Sequence, residues 1–237
     1  MRISSEDWQS KWTGESVTER SRIVAVLGDN AEKHVREAEI ADMIELRLDL
    51  IEKANPLTVL KAVRDATFLP IIATARFREE GGMFQGSEEE RIDLLIEASR
   101  YSDYVDVELM AGGRDEVLGR IKKPAIVSYH DFKKMPDDFQ LAEIFGRMKT
   151  AKADIAKIAV TPHNMYDNLR ILKFLLDADM PLCMIAMGQI GRHLRAVAPL
   201  YGSVLTYGFI TESTAPGQMS LADLCQARRL LDEGLSR

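Results

Sequence analysis

Lys157 stands in the run Ala153-Asp154-Ile155-Ala156-Lys157-Ile158-Ala159-Val160, whose other residues describe a buried strand. Burying an ammonium without a partner is costly, so a lysine here must be paired or must lose its proton more easily than in water. A neutral amine in a dry pocket attacks carbonyls and forms Schiff bases. For this segment taken alone, a lysine whose stem lies on apolar surface while its head reaches solvent is the plainer alternative. Other residues shift that balance. His130, in Ser128-Tyr129-His130-Asp131, brings an imidazole whose ordinary pKa of about 6.5 suits a proton shuttle. Arg47, Arg76 and Arg195 offer forked donors for an anionic or polyhydroxylated substrate. Their charges, together with burial, would favour the neutral amine. Glu80, ahead of Gly81-Gly82, could orient the histidine from a loop.

These groups need a scaffold that aims them at one point. Strand-like runs recur at Ile23–Leu27, Met43–Leu48, Pro70–Ala75, Tyr104–Leu109, Ala125–Tyr129, Asp154–Val160, Leu182–Met187 and Ser203–Tyr207. Helical patterns lie between them, at Ala31–Ile40, Pro56–Ala66, from Ser87, and at Arg114–Arg120, Asp137–Thr150, Met165–Leu176 and Ile190–Leu200, with a last one at Ser220–Leu231. Asp29 or Asn30 is an expected N-cap, and Ser87-Glu88-Glu89-Glu90 a capping box. About eight strand–helix units predict an α/β chain folded as a single-domain (β/α)8 TIM barrel. No glycine-rich dinucleotide fingerprint follows the first strand. Residues 1–21 are expected to form a leader packing on the barrel, and residues 22–237 the barrel itself.

Barrel strands alternate inward and outward, and chemistry gathers at their C-terminal ends. Glu45, Arg47 and Asp49 share one face, as do Thr74 and Arg76, Asp106 and Glu108, Ser128 and His130, and Lys157 with its neighbours at period two. Arg195 follows the seventh strand, and Gln218 lies in the loop after the eighth. Each alone is compatible with a solvated rim or a structural ion pair, but together they aim several charges at one mouth, where a ligand or mutual pairing must compensate desolvation.

The 237 residues carry a net charge of −6 and are 46% hydrophobic. The acidic balance argues against a nucleic-acid surface or a polybasic membrane contact, yet leaves room for a small anionic substrate held by local arginines. Cys183 and Cys225 suggest neither a metal site nor a disulfide framework, so a cytoplasmic location is expected. No run approaches membrane-spanning length, no ligand-like spacing supports a metal, and no cofactor is implied. Gly188-Gln189-Ile190-Gly191 is a weak phosphate-turn pattern, more often tight packing.

Five segments in order resemble the type I 3-dehydroquinate dehydratases, the Schiff-base hydro-lyases of the shikimate pathway to aromatic amino acids. They are Glu45-Leu46-Arg47-Leu48-Asp49, Thr74-Ala75-Arg76 with Glu80-Gly81-Gly82, Ser128-Tyr129-His130-Asp131-Phe132, Ala156-Lys157-Ile158-Ala159, and Ala215-Pro216-Gly217-Gln218. The resemblance runs from about Arg22 onward. It implies dehydration of 3-dehydroquinate to 3-dehydroshikimate by a homodimeric barrel without cofactor or metal. It makes Lys157 the imine-forming lysine, His130 the general acid/base and Glu80 the acid that holds the histidine. Glu45, Arg47, Arg76, Arg195 and Gln218 become substrate-binding, with Arg195 on the substrate carboxylate and Arg192 as the alternative. Thr211 to Gln218 becomes a closing loop. The chain departs from the family pattern at Thr214, where serine is common, and at Ile185, where a methionine is expected beside the pocket-lining Met187. The rival readings are a class I aldolase on the same barrel and a non-catalytic barrel that binds a small anion.

Overall fold

The computed structural model describes residues 21–235. The expected leader, with Trp8 and Trp12, lies outside the described residues but for Ser21. Eight strands frame the molecule: β1 (Arg22–Leu27), β2 (Met43–Arg47), β3 (Ile71–Thr74), β4 (Tyr104–Glu108), β5 (Ala125–Asp131), β6 (Ile155–Val160), β7 (Leu182–Ala186) and β8 (Leu205–Phe209). Neighbours from β1 to β7 pair in parallel in chain order, and β8 returns to β1. The ring closes where Leu182 bridges Ser203 and the Val204 amide donates to the Leu182 carbonyl at 3.0 Å. The expected single (β/α)8 barrel is therefore the fold. A two-residue strand, β9 (Met219–Ser220), adds to the far end of β8.

Helices α1 (Ala31–Ala38), α2 (Pro56–Ala66), α3 (Glu88–Ala98), α4 (Arg114–Arg120), α5 (Asp138–Thr150) and α6 (Met165–Asp177) fill the crossovers. Ser87 and Asp137 close reciprocal capping boxes with Glu90 and Gln140, which satisfies amides that the first helical turn leaves open. Asn30 holds the N-cap position of α1, but in the left-handed conformation at φ 58° and without a side-chain capping bond. The helix expected at 190–200 is broken into α7 (Gly188–Gly191), α8 (Leu194–Val197) and a 3-10 turn, Ala198–Tyr201. Pro199, which lacks an N–H, lies at the start of that 3-10 turn. The last helix, α9, runs Leu221–Leu235. Strand ends moved by one or two residues. The largest changes are β5, which continues to Asp131 along β6, and β8, which starts at Leu205 because Ser203 and Val204 are taken up by β7.

The period-two alternation decides what lies inside. Outward residues such as Ile44, Leu46, Val105, Val107, Ile158 and Val160 pack under the helices. Inward residues Val24, Met43, Ile72, Ile126, Cys183 and Leu205 form an apolar floor. The next inward position on β2 to β6 is charged or polar.

Candidate active site

Above that floor, at the C-terminal mouth of the barrel, lies a cavity of about 490 Å³ counted to its open end. Lys157, from the middle of β6, is 3% exposed. It is not the isolated amine its apolar segment suggests. Its Nζ donates to Asp106 Oδ2 at 2.9 Å and Glu45 Oε1 at 3.2 Å, and lies 4.2 Å from the centroid of the Tyr207 ring. The partners come from β4 and β2, far away in sequence, so local context could not reveal them.

The carboxylates are held in turn. Thr74 donates to Glu45 at 3.1 Å, and Ser128 to Asp106 Oδ1 at 2.6 Å. Arg76 spans Asp106 at 3.0 Å and Glu108 at 2.8 Å. Burial alone would raise the Asp106 carboxyl, but Arg76 and Lys157 outweigh it and hold Asp106 well below the usual carboxylate range. Arg47 forks onto Asp49 with bonds of 2.8 and 2.7 Å. Asp49 lies in a 3-10 turn just past β2 and also accepts the amides of Arg76 and Met83. It is thereby committed to structure.

His130 stands at the end of β5. One Glu80 oxygen, Oε2, lies 2.8 Å from His130 Nδ1 and accepts the His130 main-chain amide at 2.9 Å. An oxygen that already accepts an amide is best matched by a donating Nδ1–H, which leaves the Nε2 lone pair free. Burial, then the charges of Arg76 and Lys157, push the imidazole well below its ordinary 6.5, so it is a neutral base at pH 7. Burial pushes the Glu80 carboxyl up to about 8, against the pull of Arg76. Its Oε1 has no hydrogen-bond partner among the described residues. Glu80 ends a tight 3-10 turn, Arg78–Glu80, and Gly81 turns the chain at φ 82°, where a Cβ would meet the Phe132 ring at 2.8 Å.

Arg195, on α8, is buried and makes no ion pair among the described residues. Its only polar side-chain contact there is a long 3.5 Å bond to the Pro216 carbonyl, and its Nε has no partner. Burial pulls the guanidinium down to about 10, still charged at neutral pH. Arg192 is exposed and does not line the cavity. The same cavity is lined by Met187, Ile185, Thr214 and Gln218. Gln218 Oε1 accepts from the Thr214 amide and hydroxyl at 2.8 and 3.1 Å, which ties together the part of the loop whose Thr214, Ala215 and Gln218 line the cavity. The Gly188 amide donates to Pro216 at 3.0 Å, and a Cβ on Gly217 would lie 2.3 Å from the Gly188 carbonyl. The glycine turn thus packs against the loop that carries Pro216 and Gly217.

All ten expected site residues meet in this cavity. The reading of the sequence passed over Tyr207 and left Asp106 out of the site, although the inward periodicity of β8 and β4 marks both. It also missed Arg91, a helix residue that reaches Glu108 at 2.8 Å and the Ala75 carbonyl at 2.7 Å. No pattern in α3 separates Arg91 from an ordinary surface arginine. Among the described residues, no group of three or more His, Cys, Asp or Glu could hold a metal ion, and no helix is long and apolar enough to cross a membrane.

A parallel barrel with a buried lysine, a histidine held by a carboxyl group and, among the described residues, an arginine without an ion pair at its mouth has the makings of a carbonyl-activating enzyme. The family model for type I 3-dehydroquinase matches residues 23–234, and the chain belongs to that family. It is 56% identical over 211 residues to the 3-dehydroquinate dehydratase of Methanothrix thermoacetophila, a match covering 88% of this chain and 91% of that one. Among solved structures it is similar to the 3-dehydroquinate dehydratase of Geobacillus kaustophilus, with TM-score 0.80, 28% identity and coverage of 90% and 91%. The type I enzyme of Clostridium difficile, solved with covalently modified comenic acid, gives TM-score 0.80 and 30% identity, with coverage of 93% and 95%.

Proposed function

We propose that this chain dehydrates 3-dehydroquinate to 3-dehydroshikimate through a Schiff base on Lys157, with His130 as general acid and base. Family membership supports the reaction. The observation that carries the mechanism is that Lys157 and a neutral His130, held by Glu80, line one cavity with an arginine that has no ion pair among the described residues. Lys157 gives up a proton and attacks the ring ketone, and His130 assists loss of water from the carbinolamine. The protonated imine withdraws electrons from the adjacent carbon. His130 Nε2 then removes a proton there, and the enamine expels the neighbouring hydroxyl, which leaves as water with that proton. Hydrolysis of the imine regenerates the lysine. Arg195 binds the substrate carboxylate, while Glu45, Arg47, Arg76, Thr214, Gln218 and Met187 shape the remainder of the pocket.

The reading extends to a homodimer working in the cytoplasm on the shikimate route. Support for it comes from the exposed apolar side chains Met165, Tyr166, Leu169 and Leu176 on α6 and from two free cysteines. The decisive experiment is a mass spectrum after borohydride reduction in the presence of 3-dehydroquinate. A substrate-sized adduct on Lys157, absent in Lys157→Ala together with the ultraviolet signal of the conjugated product, is expected. Full turnover by Lys157→Ala would refute the mechanism.

A further inference from the structure

The Tyr207 ring is buried on the inner face of β8 and lies beneath Lys157, its centroid 4.2 Å from Nζ. Its hydroxyl has no hydrogen-bond partner among the described residues, and no proton-transfer step above involves it. The geometry gains meaning from a count of donors. An ammonium has three N–H groups, and two of them meet Asp106 and Glu45 at 2.9 and 3.2 Å. When ammonium and ketone become a protonated imine, two of those protons leave with the ketone oxygen as water. The nitrogen keeps the positive charge but only one N–H, so it can no longer bond both carboxylates. Asp106 is the shorter contact and is fixed by Arg76 and Ser128, whereas Glu45 is the longer one and shared with Thr74. The bond to Glu45 is the one that is lost. An aromatic face attracts a cation without requiring any N–H to point at it.

We propose that Tyr207 is a catalytic residue whose ring face holds the positive charge of Lys157 as the ammonium is converted to the protonated imine. The proposal rests on the Schiff-base reading. The face also suits the product of that step, a flat cation whose remaining surroundings on this side are apolar, Ile185 and Met187 among them.

The test replaces Tyr207 with phenylalanine and then with phenylalanines carrying one, two and three ring fluorines. Shape is nearly constant across the series while the ring face becomes steadily less negative. Tyr207→Phe keeps the face, so kcat should stay within about threefold of the natural chain. Across the fluorinated series, kcat and the rate of borohydride-trapped adduct formation should fall together, by roughly tenfold in all. Melting temperatures should not follow the fluorine count, which separates electrostatics from packing. A flat series would overturn the proposal, and so would a Phe variant as slow as the trifluoro one, since the hydroxyl would then be responsible. If the natural chain traps no adduct, the Schiff-base reading itself fails. If it traps adduct but the series is flat, only the role of Tyr207 does.

Discussion

The inside of the barrel divides into two arcs that solve the problem of burial differently. From β2 to β6 the polar inner residues at the mouth are Glu45, Arg47, Thr74, Arg76, Asp106, Glu108, Ser128, His130 and Lys157; Arg47 pairs with Asp49 and His130 with Glu80, and the others bond to one another. From β7 through β8 to β1 the inner residues are Ile185, Met187, Tyr207 and Val26, with no ion pair among them. The charged arc is a closed network, in which each group is desolvated and compensated by its neighbours. The apolar arc asks for no such compensation. Arg195 is the exception, a buried cation on the apolar side with no carboxylate partner among the described residues. Ligand charge can thus be met on one side while the reacting groups stay fixed on the other, an arrangement that suits preorganised catalysis.

The sharpest way to break this contrast is at the reacting end of the charged arc. His130→Ala should lower kcat by about 10²–10⁴-fold, while borohydride still traps adduct on Lys157. Absence of adduct would mean that the histidine is needed before elimination. Arginines on the two sides should then behave oppositely. Arg76→Met strips Asp106 and Glu108 of their shared cation and should cost about 3–5 kcal/mol in chemical denaturation. Arg195→Met removes a cation that has no ion pair among the described residues, so stability should hold or rise while KM increases on the order of 100-fold. Equal losses of stability at the two positions would show that Arg195 is paired after all.

Titration probes the network more gently. Glu80 is raised from 4.5 to about 8 by burial, so between those values the folded chain holds a proton that the unfolded chain has released. Its contribution to stability is full below pH 4.5 and is lost as pH rises through 8. His130, depressed by burial and by Arg76 and Lys157, acts the other way, its contribution present above 6.5 and lost as pH falls. Glu80→Gln removes the first slope. Relative to the natural chain, its stability should improve by up to about 1.4 kcal/mol per pH unit between pH 5 and 8. A constant difference across that range would place the proton elsewhere. The smallest effect belongs to the apolar arc. Ile185→Val should cost about 1 kcal/mol with little change in kcat, because only a methylene's contacts are lost.

Much of the catalytic layer was legible because strand periodicity carries it. Alternation in Glu45-Leu46-Arg47 and Ile155-Ala156-Lys157 assigns inside and outside without coordinates, and closure of the ring brings those faces to one point. Elements whose ends depend on neighbours were less legible. β8 begins later than its own apolar run suggests because Ser203 and Val204 are engaged by β7, and the 190–200 helix is interrupted at Arg192–His193 and tightens to a 3-10 turn from Ala198. Arg91 was invisible because its partners, Glu108 at the end of β4 and the Ala75 carbonyl, are brought to it only by the fold.

By itself the chain determined the eight-unit alternation and the inward face of β2 to β6, and hence most of the strand side chains that share the barrel mouth. These follow from local periodicity and from turn and capping chemistry. Only the tertiary structure decided that Lys157 is clasped by Asp106 and Glu45, that Tyr207 lies under it, and that Arg195 rather than Arg192 faces the cavity. Those outcomes depend on distances between strands that meet only when the sheet closes, and electrostatics at a few ångströms cannot be read from order along a chain.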